Sequence, residues 1–344
     1  MRRFARILVV VLLLLVAASV IFYFWGSSTR MDPVDYHRVV TYASDPEAPK
    51  DTIKVMTYNI GFLSGMDNNL AVRTSAEVYA DNLEQAKAFI SQADADVVGF
   101  QEIDYGSHRS YYQQQLDALA DAGGYAYGVQ DVNWDRNYVP FPYWPPSVHY
   151  KRMLSGQAVL SKYPVGESER VVLDKPVNAP FYYNAFYLDR LVQVVHVDIG
   201  RTVVILNVHL EAFDTETREA QAEILKGIYS KYAERFPVIL MGDFNARPPF
   251  ASEQATDPEG NPMEERTTAI FFEDLGLQDA IAELEYMADE EANFTFSSGE
   301  PFEKLDYIFY DPDVLTPIEG RVMTEAGTIS DHLPVSMTFT FNRN

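Results

Sequence analysis

The 344-residue chain contains no cysteine. That absence excludes disulfides, thiolate metal sites and cysteine nucleophiles, and with them bacterial lipoprotein processing. Folding is therefore indifferent to the redox state of the compartment. Basic residues are scarce as well. There are 27 lysines and arginines against 50 aspartates and glutamates, a net charge of −23 and a pI near 4.5. Such a field repels nucleic acid and anionic lipid at long range, which argues against a broad nucleic-acid groove. It does not argue against a single phosphate site, where a bound divalent cation offsets the charge locally. No repeat and no low-complexity tract is present, and proline and glycine, 19 and 18, are ordinary in number.

One long hydrophobic run stands out. Residues 1–6 read MRRFAR, a basic stub, and residues 7–25 (ILVVVLLLLVAASVIFYFW) follow without a charge. Nineteen residues approach the roughly 20 that a helix needs to cross a bilayer. Tyr23 and Trp25 sit at the far end, where aromatic rings favour the interface. The arginines favour the cytoplasm, so the run reads as a single-pass signal anchor with the rest of the chain extracytoplasmic. A cleaved signal peptide is the rival reading. It would end in small residues, whereas bulky residues 21–25 follow Ala17, Ala18 and Ser19 here. Residues 26–51 read as a linker with a short ordered patch at residues 36–42. Residues 52–344 then read as one large domain, with 47% hydrophobic residues chain-wide to build a core.

Within that domain, β-rich runs alternate with helical stretches. Strands are expected at residues 53–58, 96–100, 157–160, 202–208, 238–241, 305–310 and 335–341. Residues 187–197 suggest two strands turning near Asp189-Arg190. Helical periodicity covers residues 76–92 and 112–122, the latter closed by Gly123-Gly124. Asp214 is placed to N-cap a helix through Glu234. Residues 131–150 (DVNWDRNYVPFPYWPPSVHY) suggest a long aromatic loop, and residues 256–265 an acidic one. Many strands with helices between them predict two packed sheets flanked by helices, with chemistry on loops at the strand ends.

Six segments end such runs in polar groups: TYN (57–59), QE (101–102), NVHL (207–210), GDFN (242–245), KLDY (304–307) and SDHLP (330–334). Each has a bland reading alone. Asn59 could be a turn residue, His209 a satisfied core histidine, and Asp243 with Asn245 an Asx turn. Glu102 leaves a buried strand and offers a carboxylate to a hard cation such as Mg²⁺. If the backbone stays extended, Asp243 and Asn245 point the same way and can orient a water. Asp306 interrupts an apolar run and therefore needs a partner or a site. Asp331-His332 sets a general acid/base beside a potential metal ligand.

Taken in order, these segments resemble the endonuclease/exonuclease/phosphatase superfamily, as does SGQAVLS (155–161). The resemblance covers residues 53 to about 341. It implies an α/β fold: a four-layer sandwich of two packed mixed β-sheets flanked by helices, here behind a transmembrane helix. It implies a metal-dependent phosphoric ester hydrolase using Mg²⁺ or Mn²⁺. Glu102 would bind the ion with Asn59, and Asp331 would contribute to that position or a second. Asp243 with Asn245 would orient the attacking water, His332 would pair with Asp306, and His209 would hydrogen-bond the phosphate or leaving group. Either Asp243 or His332 could be the formal base. Gly61 stands where the apurinic-endonuclease branch has an aspartate, which weakens a DNA-repair assignment. The expected substrate is a phosphate ester, a lipid headgroup or phosphorylated metabolite. An extracytoplasmic nuclease and a catalytically inactive scaffold are the alternatives.

Overall fold

The computed structural model describes residues 2–43, 46–254 and 264–342. The first helix, α1, spans Arg2–Ser27, and among the described residues it is the one helix long and apolar enough to cross a membrane. None of its apolar window is buried, so the helix stands clear of the domain until its last two turns. There Gly26 is buried and Asn137 Nδ2 donates to the Trp25 carbonyl at 3.1 Å.

The first part of the domain comprises β1 (His37–Thr41), β2 (Thr52–Asn59), α2 (Ala76–Ala93), β3 (Val97–Asp104), α3 (Gln115–Gly123), β4 (Tyr127–Val139) and β5 (Lys151–Ser161). Next come β6 (Val165–Leu173), α4 (Phe181–Phe186), β7 (Arg190–Asp198), β8 (Thr202–His209), α5 (Thr215–Ala233) and β9 (Val238–Asp243). The chain closes with β10 (Gln278–Asp279), α6 (Glu283–Ala288), β11 (Asp306–Tyr310), β12 (Leu315–Val322) and β13 (Val335–Phe341). Local signals set several of these bounds. Ser75 caps α2 through Val78 N–H, and Asp214 caps α5 through Thr217 N–H at 2.8 Å.

Seven strands form one sheet in the order β1-β4-β5-β3-β2-β13-β12, and six form another in the order β10-β11-β9-β8-β7-β6. Both are mixed: β2 runs parallel to β3 and β8 parallel to β9, and the other pairings are antiparallel. Strand alternation sorts the side chains into layers. In β8, Val203 and Ile205 enter the core between the sheets, while Val204, Leu206 and Val208 face the cluster that contains Ala222, Leu225 and Tyr229 of α5. Met56, Tyr58, Val98 and Phe100 likewise pack with Ala86, Phe89 and Ile90 of α2. The result is the expected four-layer sandwich. Each fully buried Val, Leu or Phe contributes roughly 1.5–3 kcal/mol, so three such layers form a strong core.

Two expectations are corrected. The aromatic stretch 131–150 is not one loop, because β4 continues to Val139 and pairs with β5. Alternation of Val132 and Trp134 with polar neighbours suits a strand, and the prolines break it only from Pro140 onward. Residues 187–197 hold one strand preceded by α4, without a turn at Asp189-Arg190. The ordered patch expected at residues 36–42 of the linker is an edge strand, with residues 37–41 paired to β4. The acidic stretch 256–265 falls largely outside the described residues.

Candidate active site

The site grows out of strand parity. Ile53 and Val55 of β2 point between the sheets, and two and four residues on, Thr57 and Asn59 keep that direction. By the same count His209 follows Val203 and Ile205, Asp243 follows Ile239 and Met241, and Asp306 precedes Ile308 and Tyr310. At one end of the sandwich the apolar partners stop and these polar ends meet. Register brings them together: Asp243 pairs with His209 on one side and with Asp306 on the other.

Asp243 is the hub. Its Oδ2 accepts from Asn59 Nδ2 at 2.9 Å and lies 3.5 Å from His209 Nε2 and 3.8 Å from His332 Nε2. His332 Nδ1 lies 2.9 Å from Asp306 Oδ2. Asp243, Asp306 and His332 are all buried and form a compact triad of ligand-type atoms. The Ser330 hydroxyl fixes the last segment, donating to the Asn59 carbonyl at 2.7 Å and accepting from His332 N–H at 3.2 Å. Lys304 turns away from the site to an ion pair with Asp279 at 3.1 Å.

Glu102 arrives by a different route. Its parity matches Val98 and Phe100, which face the helices. A β-bulge between Phe100 and Ile103, with Glu102 at φ +53°, re-aims the side chain. Asn59 Nδ2 and Asn68 Nδ2 each lie 3.4 Å from its carboxylate, and Asn68 Nδ2 is also 3.2 Å from Asp331 Oδ1. One amide nitrogen thus bridges Glu102 and Asp331.

Asn245 departs from the extended geometry. Its φ of +51° turns the chain, so its backbone N–H, at 2.9 Å, caps Asp243 Oδ1 and its side-chain amide donates to the Leu210 carbonyl at 3.0 Å. The Asx-turn reading of this pair holds, and Asn245 still lines the cavity. Gly61, at φ +46°, is where a Cβ would sit 2.7 Å from Asp331 Oδ1. The glycine is required by this packing.

Electrostatics follow from burial. Burial disfavours the His332 cation, but Asp306, Asp243 and Asp331 outweigh it and push the imidazole well above its usual range. His209 moves the other way, lowered well below by burial, then by Arg190 and His332. Burial raises the Asp243 carboxyl against the pull of His332. Burial also raises Asp331, with His332 opposing and Glu102 adding to it.

These groups open into a cavity of about 650 Å³. Its walls include residues that no sequence pattern signalled. Asn68 is one. Arg190 is another: it is buried near Glu211 (3.5 Å), and its Nε and Nη1 have no hydrogen-bond partner among the described residues. Tyr187 and Phe186 add an aromatic wall. Arg109, Arg218 and Arg247 also line it, but each is paired with a carboxylate.

The donor set suits a hard divalent cation. Glu102 and Asp331 supply carboxylate oxygens, and the buried Asn68 Oδ1 has no partner among the described residues.

The family model of the endonuclease/exonuclease/phosphatase family matches residues 56–332. The chain belongs to this family. Solved relatives of the family share the fold. An endonuclease/exonuclease/phosphatase of Beutenbergia cavernae is 22% identical with a TM-score of 0.59, over 85% of this chain and 72% of that one. The human Nocturnin catalytic domain with bound sulfate is 19% identical with a TM-score of 0.56, over 91% and 100%. A mannosyl-6-phosphatase of Bacteroides thetaiotaomicron is 20% identical with a TM-score of 0.56, over 84% and 100%. No curated protein matches the chain. The family acts on phosphoester substrates and is generally dependent on a divalent metal.

Proposed function

We propose that this chain is a membrane-anchored, Mg²⁺-dependent phosphoesterase that hydrolyses a phosphate ester by in-line attack of water. The observation that carries the reading is the Asp243 carboxylate, buried and within 3.8 Å of Asn59, His209 and His332 together. Mg²⁺, or Mn²⁺ in its place, would be held by Glu102 and Asp331 with Asn59 and Asn68 beside them. When bound, it would neutralise charge on the phosphate.

The chain's own residues do the rest. Asp243, fixed by Asn59 and the Asn245 backbone, orients the attacking water and stands ready to accept its proton. Asp306 holds the His332 ring so that Nε2 faces the phosphate. His209 donates to a phosphate or leaving-group oxygen. Arg190 is ion-paired with Glu211, yet its Nε and Nη1 make no hydrogen bond among the described residues and would offer a further phosphate oxygen a charge-assisted bond. The cavity's other arginines are already paired, which disfavours a nucleic-acid track. The basic stub at the start of α1 supports a cytoplasmic N-terminus and an extracytoplasmic domain.

The test is hydrolysis of bis-p-nitrophenyl phosphate and p-nitrophenyl phosphate by the full chain in detergent. Activity should require Mg²⁺ or Mn²⁺, vanish with EDTA, and fall at least about 100-fold in His332→Ala. Metal-independent turnover, or turnover unaffected by the substitution, would sink the reading.

A further inference from the structure

Phe186 joins two features that the fold had no need to bring together. On one side its ring lies 6.2 Å from Phe22 and 6.0 Å from Tyr23, at the end of the apolar helix α1. On the other it lines the catalytic cavity. The contact is close: a Cβ on Gly26 would meet Phe186 Cε1 at 3.0 Å. Tyr138, at the end of β4, packs on both Phe22 (5.6 Å) and Trp25 (5.9 Å). The helix therefore leaves the domain beside the cavity mouth, at the level of its own terminal Tyr23 and Trp25.

The segments that hold the helix end also project uncovered aromatics. Five residues after Val139, Trp144 is 77% exposed. In α4, Phe181 is 74% exposed and touches Tyr23 (ring centroids 5.8 Å), and Tyr182 is 57% exposed. Large aromatics left open to water are costly when clustered, and rings with a polar edge are favoured at the level of lipid headgroups. The chain's charge of −23 argues against docking by basic attraction to anionic lipid, so this collar would bind by apolar contact.

We infer that the aromatic collar of residues 143–144 and 181–182 sits in the headgroup layer of the bilayer that α1 crosses. The cavity it rims takes its phosphate ester from an amphiphilic lipid of that same bilayer. This rests on the phosphoesterase reading above. Phe186 is the pivot: the anchor fixes the distance between the membrane surface and Asp243, and the Tyr183, Phe186 and Tyr187 wall receives the apolar part of the lipid next to its headgroup.

The experiment uses the full chain in proteoliposomes of phosphatidylcholine, phosphatidylethanolamine, phosphatidylinositol and sphingomyelin, reading release of phosphate or phosphorylated headgroup. The same glycerophospholipid headgroups on dihexanoyl lipids, below their micellar concentration, form the soluble arm. The double variant Trp144→Ser with Tyr182→Ser should lower hydrolysis of bilayer lipid at least fivefold and leave the dihexanoyl rate within twofold. Equal loss in both arms, or loss in neither, overturns the inference. So does turnover of bis-p-nitrophenyl phosphate without turnover of any bilayer lipid. If the unaltered chain hydrolyses nothing, including bis-p-nitrophenyl phosphate, the phosphoesterase reading itself fails.

A measurement independent of activity guards against misfolding of that variant. The chain lacks cysteine, so Trp144→Cys accepts a single spin label. Collision with oxygen well above that with an aqueous nickel chelate supports immersion. The reverse overturns it.

Discussion

His332 Nδ1 stands 2.9 Å from Asp306 Oδ2, a contact that joins the loop before β13 of one sheet to the first residue of β11 in the other. The pair spans the sandwich at its polar end. It holds the imidazole so that Nε2 faces Asp243 and the cavity.

Asp306→Asn keeps the shape of that partner and removes its charge. The amide can present its NH₂ to Nδ1, which then carries no proton, and the ring loses the carboxylate charge that favours its protonated form. The expected outcome is a fall in kcat of about 100-fold or more with KM changed less than fivefold, since positioned acid–base groups contribute 10²–10⁴-fold. Steady-state hydrolysis of bis-p-nitrophenyl phosphate measures both. An unchanged kcat would show that the contact only supports the fold.

Beneath the site lies a buried polar knot. Asn207 Oδ1 accepts from Gln101 Nε2 at 2.6 Å, and Asn207 Nδ2 reaches Gln193 Oε1 at 2.7 Å and the Phe100 and Ala158 carbonyls at 3.1 and 3.2 Å. The bonds to Gln101, Phe100 and Ala158 cross between the sheets, and the bond to Gln193 ties β8 to its neighbour β7. Asn207→Leu is nearly isosteric but strands several partners in a dry interior. Each orphaned group costs roughly 1–3 kcal/mol, so destabilisation on the order of 3 kcal/mol or more is expected. Urea denaturation of variant and parent gives the difference. A loss under about 1 kcal/mol would mean that the knot is not a structural determinant.

Gly61→Ala tests the contact against Asp331. The left-handed backbone at φ +46° costs a non-glycine residue roughly 1–2 kcal/mol. The new Cβ would also press on a carboxylate oxygen at 2.7 Å. The Mg²⁺ concentration giving half-maximal activity should rise at least about tenfold. A variant with the parent's Mg²⁺ dependence would free Asp331 from the metal site.

Strand pH dependence is expected far from the site. His37 Nδ1 lies 2.6 Å from Asp131 Oδ1 and its Nε2 2.9 Å from Ser168, tying β1 to β4 and β6. The Asp131 bond raises the imidazole above its usual value against the opposing effect of burial. A raised folded-state pKa means stability fully present below about pH 6.5 and lost as pH climbs through the folded value. Denaturation midpoints at pH 5.5 and 8.5 should show that loss, and His37→Gln should flatten it. An equally steep profile in the variant would assign the effect to other groups.

Much of this site was legible because polar groups stand at the ends of apolar strand runs, in an order that resembles the family's. Asn59, His209 and Asp243 close such a run and Asp306 opens one, and strand parity and register bring all four together. Glu102 lacks that parity. Only the bulge at Phe100–Ile103 brings it inward, and nothing local in GFQEID announces a bulge. Asn245 failed for a similar reason, since its positive φ ends the extended geometry that the spacing argument assumed. Asn68 and Arg190 lie in segments that look like ordinary loop and strand edge, and their roles come from tertiary approach. The aromatic stretch misled because proline-rich composition at residues 140–146 was extended backward over strand residues.

Glu102→Gln separates charge from geometry at that bulge. The substitution preserves length, the φ of +53° and the capacity to accept from Asn59 and Asn68, while removing one negative charge next to Asp331. With two carboxylates flanking one amide nitrogen, a hard cation is the partner that relieves their mutual repulsion, and a neutral amide weakens that need. Mn²⁺ affinity, read by electron paramagnetic resonance of the free ion, should fall at least about tenfold. Thermal stability without metal should hold or rise, because like-charge repulsion is relieved. Unchanged Mn²⁺ affinity would move the metal position to the Asp243, Asp306 and His332 cluster. Asp243→Asn would then produce the loss of binding that Glu102→Gln did not.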